Sequence, residues 1–522
     1  MTQTTHAIQT SEVVPSIGDW LALCADRPST LTVDGVATTV ADLDAAASRG
    51  AAGFTALGLT RGDRVGVVMK ASVSALQAWF SIARAGLVEV PLNPGTGPAL
   101  LEYCLEHAAV RVVVCDAEFA CLIREIAGRV DSIETVIVAA GSAGDPDDFA
   151  TLMATEPIEL KPVDPRSSAV ILYTSGTTGP PKGVLLSHRA NVNLARHTVG
   201  LMSYTSADRL YSVFPLYHSN ARYCSVMAAI DAGADVVLHR TFSATRFWDI
   251  CRDEKITAFN YQGAMMSILF KQPPRPDDRD HTVRAGFGAP CPTEIFADVQ
   301  ERFGIELTEI YGSTETSIVC DMPPARRRIG TAGTESVNYH VRIVDADDEP
   351  AGPGEVGEIV VRPKRPGFMF DGYDARPEAT VDAWQNLWFH TGDRGIIDAD
   401  GFLTFVDRVK DTIRRRGENI SSWEIERVVA DDADVLQVAA YGVASELSEE
   451  DVVIAVVPAP GVRVDPAALV ARIDGQLTSF ARPRYVRIVD ALPLTHSQRV
   501  EKYRLRAQGI TADTWDREKV RG

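Results

Sequence analysis

The chain has 522 residues, 52 basic against 70 acidic, giving a formal net charge of −18 at pH 7. At roughly 150 residues per domain this is too long for one ordinary core and implies two to four domains or subdomains. Hydrophobic residues at 45% and charged residues at 23% exclude wholesale disorder, and the acidic balance argues against nucleic acid or an anionic membrane as the main partner.

The opening residues, MTQTTHAIQTSEVV, have neither the basic n-region nor the apolar h-region of a secretory signal. No run of about 18 apolar residues occurs, so no membrane-spanning helix is expected. The cysteines (Cys24, Cys104, Cys115, Cys121, Cys224, Cys251, Cys291, Cys320) are scattered, with no CxxC pair. They read as reduced thiols, mostly core fillers, in a soluble cytoplasmic protein.

Arg64–Lys70 (RVGVVMK) reads as a strand, Ala71–Ala85 as an apolar-periodic helix, Val88–Val90 as a second strand, and PLNP at Pro91–Pro94 as a turn. A helix around Leu100–His107 and a strand over Val110–Cys115 follow. Repeated strand–helix–strand units favour a mostly parallel, helix-covered sheet.

Tyr173–Gly183 reads YTSGTTGPPKG, after the strand-like run Ala169–Leu172 and before a helix that Ser187 is placed to cap. Its hydroxyls, glycines and single lysine can form a mobile cradle of N–H and O–H donors around a polyphosphate, with Lys182 supplying charge. The spacing is not that of a Walker A loop, GxxxxGK[ST].

The pattern changes near residue 340. His340–Val344, Gly357–Arg362 and Phe402–Val406 are short β-rich runs, and Asp400-Gly401 marks a hairpin, since glycine accepts the positive φ such turns need. The basic stretch RVKDTIRRRGEN follows Asp407. Ser421 with Glu424 suggests a capping box for a helix through Val429, and Asp465-Pro466 opens another. Residues 1–409 are expected to form a large N-terminal α/β region of layered sheets, with a β-rich part at about 335–409, and residues 410–522 a small mobile α+β domain.

With these segments in order, the chain resembles the acyl-adenylate-forming superfamily of acyl-CoA synthetases, peptide-synthetase adenylation domains and beetle luciferases. The resemblance rests on YTSGTTGPPKG, on GAP at Gly288–Pro290, on YGSTET at Tyr311–Thr316, on HTGD at His390–Asp393, and on DRVKDTIRRRGENISSWEIE at Asp407–Glu426. It implies a nucleotide site of Thr174, Ser175, Gly176, Thr177, Thr178, Gly179, Lys182, Gly288, Ala289, Pro290, Tyr311, Gly312, Ser313, Thr314, Asp393 and Arg408. In it Tyr311 faces adenine, backbone at Gly288 and Ala289 approaches the other side, Thr314 donates to the α-phosphate, and Asp393 and Arg408 hold the ribose. Taken alone, Tyr311 also suits a packed core position and Asp393 a turn cap. Glu315 is the implied Mg²⁺ ligand.

His218, in FPLYHSN, is implied to gate the acyl site, with Tyr217, Asn220, Arg222 and Gly263 lining it. Lys410 is the implied hinge between an adenylating and a thioester-forming arrangement. Gly417 and Glu418 match the pantetheine tunnel, and Phe480 and Arg482 match positions that stack on the CoA adenine. Arg414–Arg416 suit either CoA phosphates or a solvated basic face. The implied ligands are a small carboxylic acid or its acyl-AMP, ATP, CoA and Mg²⁺.

One departure stands out. The family's last motif ends in Gly-Lys-Val, whose lysine reaches the substrate carboxylate and α-phosphate; here LPLTHSQRVEK sets Gln498 at the glycine and Arg499 at the lysine, with Lys502 a downstream lysine. The resemblance then implies an acyl-CoA ligase with impaired adenylation and retained thioesterification, served by a partner adenylating enzyme. The alternatives are a complete ATP-dependent synthetase, a ligase loading a carrier protein, and a non-catalytic nucleotide-binding regulator. GAMMSIL at Gly263–Leu269 and TWDRE at Thr514–Glu518 resemble the carnitine/crotonobetaine branch.

Overall fold

A computed structural model describes residues 14–139, 147–174, 181–262, 265–323, 326–408, 413–415, 418–420, 422–445, 450–477, 481–494 and 500–519. Contacts divide them into two compact units. The first takes in Met1–Gly176, Pro180–His340 and Pro363–Gln385; the second is mainly Val341–Arg362 and Asn386–Gly522.

The first unit holds two sheets. One has seven strands, in the order Gly372–Tyr373, Lys182–Ser187, Ser168–Thr174, Val88–Pro91, Arg64–Val68, Val112–Asp116, Thr135–Ala139. From Ser168–Thr174 to Thr135–Ala139 the pairing is parallel, and the two strands at the other edge run antiparallel. The helix Val73–Ala85 starts where Ser72 accepts the Ala75 N–H at 3.1 Å and stops at Gly86, whose φ of 72° favours a residue without a Cβ. It buries Leu76, Trp79, Phe80 and Ile82. The expected helix–strand alternation is therefore present, with ends moved by one or two residues.

The other sheet has nine strands, in the order Thr334–Glu335, Ser317–Asp321, Glu306–Ser313, Ala285–Ala289, Ala258–Gln262, Arg209–Ser212, Asp235–Leu238, Thr30–Val33, Val36–Thr39. Its middle strands are parallel, so their C-terminal ends deliver Gln262, Ala289 and Ser313 to one edge of the sheet.

The expected cap at Ser187 takes a different form. The helix His188–Met202 does begin there, but the Ser187 hydroxyl makes no capping bond; its carbonyl accepts the Asn191 side-chain amide at 2.8 Å. The phosphate segment also differs from a strand leading into a helix. It closes an antiparallel hairpin, with Thr174 opposite Lys182 and Tyr173 opposite Gly183, so both ends are strand residues.

In the second unit, Gly357–Pro363, Trp388–Ile397 and Leu403–Arg408 form antiparallel strands. The hairpin at Asp400-Gly401 is present: Gly401 has φ of 86°, and Asp398 accepts the backbone N–H groups of Asp400 and Phe402. A further sheet orders Val435–Ala444, Glu450–Pro458, Tyr485–Ile488 and Trp515–Asp516. One face packs Ile413, Ile420, Ile425, Ile454 and Leu469; the other packs Tyr441, Val453 and Leu505. The helix Pro466–Ile473 is capped by Asp465 through the Ala467 N–H at 3.0 Å. The helix Ser422–Ala430 matches expectation, while Ser421 lies outside the described residues.

All eight cysteines are free thiols, seven buried and Cys121 exposed. Among the described residues no helix is long and apolar enough to cross a membrane.

Candidate active site

In the first unit, the phosphate hairpin fixes Thr174 and Lys182 opposite one another, while Ser175, Gly176, Thr177, Thr178 and Gly179 lie outside the described residues. The Lys182 ammonium stands 4.5 Å from the centre of the Tyr373 ring. The Tyr373 hydroxyl donates to Glu315 Oε1 at 3.1 Å. Burial, reinforced by that carboxylate, pushes the Tyr373 phenol well above its ordinary range, so it acts as a donor.

Glu315 sits in the turn between strands Glu306–Ser313 and Ser317–Asp321. That turn is tied by Ser313 N–H to Thr316 Oγ1 at 3.1 Å and by Thr316 N–H to Ser313 Oγ at 3.3 Å. A Cβ on Gly312 would fall 1.7 Å from the Ser317 carbonyl oxygen, so no other residue fits there. Thr314 lies in the same turn. Glu315 is half-buried, its backbone carbonyl accepts Phe370 N–H at 2.8 Å, and Oε2 takes no hydrogen bond among the described residues. One available hard oxygen fits Mg²⁺, which uses one or two carboxylates together with substrate phosphates.

Tyr311 is buried, 8% exposed. Gly288 lies opposite Tyr261 and Glu309 on the neighbouring strands, and a Cβ there would meet the Tyr261 carbonyl oxygen at 1.9 Å. Close strand packing thus requires this glycine in its own right. Ala289 and Pro290 follow at the strand end. Sequence reading passed over Glu309, which is 6% exposed and accepts the Cys291 backbone N–H. Burial pushes its carboxyl up to about 7, the Cys291 bond opposing. Tyr261 and Cys291 are its titratable neighbours.

The acyl segment contains Tyr217 and His218, whose rings lie 4.9 Å apart, and continues as a π-helix over Asn220–Met227. Such helices recur at functional sites. Asn220 Oδ1 accepts from the buried Asn260 amide at 2.7 Å, which also reaches Ser225 Oγ at 2.9 Å. Arg222 does not present its charge to an open pocket. It is 1% exposed, forks onto Glu89, donates to the Leu216 carbonyl at 3.0 Å and lies 3.9 Å over the Trp79 ring. Its charge is matched inside the fold. Gly263 lies outside the described residues.

In the second unit, Glu358 organises HTGD: Oε2 bonds His390 Nδ1 at 3.0 Å, and Oε1 accepts the Gly392 N–H at 2.9 Å. Asp393 is buried on strand Trp388–Ile397, directly opposite Arg408 in the antiparallel register. The backbone thus brings together the two expected ribose residues. Arg415 corrects the view of Arg414–Arg416 as phosphate-facing or solvated: it is 8% exposed, pairs with Asp451 at 3.1 Å and donates to the Arg482 carbonyl at 2.8 Å. Arg482 in turn donates from Nε to the Leu477 carbonyl at 3.3 Å. The backbones of Glu418 and Arg415 lie opposite one another in a short hairpin. Lys502 bridges Ser422 and Glu426 on one helix, a structural position. Lys410, Gly417, Phe480, Gln498 and Arg499 lie outside the described residues.

Gln262, Ala289 and Ser313 at the C-terminal ends of parallel strands, with Asn220 tied to Asn260 on the same sheet, form the arrangement expected of an adenylate-forming ligase. The chain belongs to the AMP-binding enzyme family: residues 19–373 match that family and residues 424–499 match the AMP-binding enzyme C-terminal domain. It is 30% identical over 465 residues to the crotonobetaine/carnitine–CoA ligase of Salmonella typhimurium, covering 87% of this chain and 90% of that one. Identity to long-chain fatty acid transport protein 1 of Mus musculus is 29% over 513 residues, covering 91% and 79%. Among solved structures, ATP-bound MatB from Rhodopseudomonas palustris superposes with a TM-score of 0.85 at 27% identity, covering 94% and 98%. The anthranilate CoA ligase AuaEII with anthranoyl-AMP shares the fold, with a TM-score of 0.86 at 22% identity, covering 96% and 98%. The protein is an acid–thiol ligase that makes acyl-CoA through an acyl-adenylate.

Proposed function

We propose that this ligase retains the thioester-forming half-reaction on acyl-AMP and is impaired in making acyl-AMP from ATP. The observation that carries this is the sequence Gln498-Arg499, where the family has Gly-Lys. Lysine presents a compact ammonium with three rotatable donors, able to touch a carboxylate and an α-phosphate together. Arginine spreads the same charge over a longer planar fork, and Gln498 removes the freedom of a glycine beside it. Losing one preorganised donor costs about 10²–10³ in rate.

In this reading Lys182 and the hairpin hold phosphates, Tyr311, Gly288, Asp393 and Arg408 hold the nucleoside, and Glu315 holds Mg²⁺ when the metal enters with nucleotide. His218, Tyr217 and Asn220 face the acyl group. Lys410 is the hinge at which residues 410–522 rotate, and Gly417, Glu418, Phe480 and Arg482 meet CoA. A partner adenylating enzyme supplies acyl-AMP, and the eight free thiols suit a reducing cytoplasmic setting. Similarity to the crotonobetaine/carnitine and long-chain relatives makes betaine-type and fatty acids the first acids to try.

The test measures pyrophosphate release from ATP plus each acid, and separately CoA thioester from synthetic acyl-AMP, in wild type and Arg499→Lys. Expected are slow pyrophosphate release, rapid thioester formation, and a gain of about 10²-fold in the first step alone on Arg499→Lys. Efficient pyrophosphate release by wild type refutes the reading in favour of a complete synthetase. Transfer only to a carrier's pantetheine indicates a loading ligase, and inactivity in both steps a regulator.

A further inference from the structure

Tyr373 belongs to none of the motifs that reveal the family. Its position is nonetheless tightly determined. Gly372 has φ of 135°, which only glycine adopts readily, and turns the chain so that Gly372 and Tyr373 pair with Leu185 and Val184 at the sheet edge. Asp371 N–H donates to the Leu185 carbonyl and Asp374 N–H to the Gly183 carbonyl, each at 2.8 Å. Thr380 Oγ1 accepts the Tyr373 N–H at 2.9 Å, and Arg64 holds the Asp374 carboxylate at 2.7 Å. The strand that begins with Lys182 therefore fixes the ring on both sides. Because side chains alternate along a strand, Lys182 and Val184 share a face, and this register sets the ring under the ammonium.

The ring is 9% exposed and packs edge-on to Phe370 at 5.0 Å. Its face meets Lys182 and its hydroxyl meets Glu315, residues 58 positions apart in sequence from Tyr373 in the second case. A cation on an aromatic face and a hydrogen bond to a carboxylate are both directional, so one rigid group holds a positive and a negative side chain at a set separation.

We propose that Tyr373 is a positioning residue for the polyphosphate and its cation, its ring presenting Lys182 to the phosphates and its hydroxyl aiming Glu315 at the metal. This rests on the reading of Lys182 and Glu315 given above. The two functions are separable. Tyr373→Phe keeps the ring and removes the bond to Glu315; Tyr373→Leu removes both.

The test is equilibrium calorimetry on the full chain with ATP in EDTA, ATP with Mg²⁺, and AMP, so no turnover is required and Arg499 does not intervene. In wild type, Mg²⁺ should tighten ATP binding. Tyr373→Phe should keep the metal-free ATP affinity within about twofold while losing about tenfold of the Mg²⁺-dependent tightening, the loss of one charge-assisted hydrogen bond. Tyr373→Leu should weaken metal-free ATP binding as well, by about threefold to tenfold. AMP, which lacks the β- and γ-phosphates, should bind all three proteins alike. A residue that merely supports the fold would weaken AMP and ATP together, and that result overturns the proposal. So does an unchanged Mg²⁺ effect in a folded Tyr373→Phe. Wild type that binds AMP but shows no Mg²⁺ effect on ATP overturns the Glu315 reading, and the proposal with it.

Discussion

Glu309 allows a pH prediction to be worked from the structure. Its carboxyl is 6% exposed and accepts the Cys291 N–H, and burial outweighs that bond to raise its folded pKa to about 7. In the unfolded chain it titrates near 4.3. An acid with a raised folded pKa binds its proton more tightly when folded, so stability is fully present below about 4.3 and declines as pH rises, levelling off above about 7. The span corresponds to roughly 4 kcal/mol. Glu309→Gln keeps the shape and an acceptor for Cys291 but cannot ionise. Its melting temperature should match or trail wild type at pH 5 and exceed it by several degrees at pH 8, scanned at one fixed rate. Difference infrared spectroscopy should show a protonated carboxyl band that titrates near pH 7 in wild type and is missing from the variant. Parallel melting profiles across this range, with no such band, would refute the argument that burial keeps this carboxyl neutral.

Arg222→Met should destabilise the chain by about 3–5 kcal/mol by leaving the Glu89 carboxylate unpaired in the core, and adding Glu89→Leu should restore most of the loss. Melting curves of the two single variants and the double decide it; a double variant no better than Arg222→Met would contradict the pairing. Lys410→Pro should leave acyl-AMP binding intact while lowering thioester formation, because proline fixes φ near −65° at a backbone position proposed to rotate. Equal loss of binding and thioester formation, measured by calorimetry and a thiol assay, would point to misfolding and count against the hinge.

What could be read in the sequence was local. Apolar periodicity located Val73–Ala85 and Arg64–Val68, and Asp400-Gly401 and Asp465-Pro466 announced their turn and cap through their own backbone preferences. What escaped reading depends on distant partners. Tyr373 meets Glu315 across 58 positions and Arg222 meets Glu89 across 133, and no spacing rule links such residues before the sheets assemble. The motif groups Arg222 with residues expected to line the acyl site, yet its side chain turns inward because a buried carboxylate awaits it. The phosphate segment was legible as chemistry but not as topology. A glycine-rich loop serves a strand–helix junction and a hairpin equally well, and only the pairing of Thr174 with Lys182 distinguishes them. Ser187 likewise has a cap's identity and position, yet its hydroxyl makes no capping bond.

The distribution of thiols gives the native chain a single point of attachment. Cys121 is exposed on the helix Ala120–Ala127, whereas the other seven cysteines are enclosed. Burial pushes the thiols of Cys104 and Cys115 up to about 12 and those of Cys24 and Cys224 up to about 11, so few of them exist as the reactive thiolate at neutral pH. A maleimide dye added to the folded protein is thereby directed to one site without any cysteine being removed. With a second dye on an introduced cysteine in the C-terminal sheet, energy transfer would test, one molecule at a time, the rotation proposed for residues 410–522.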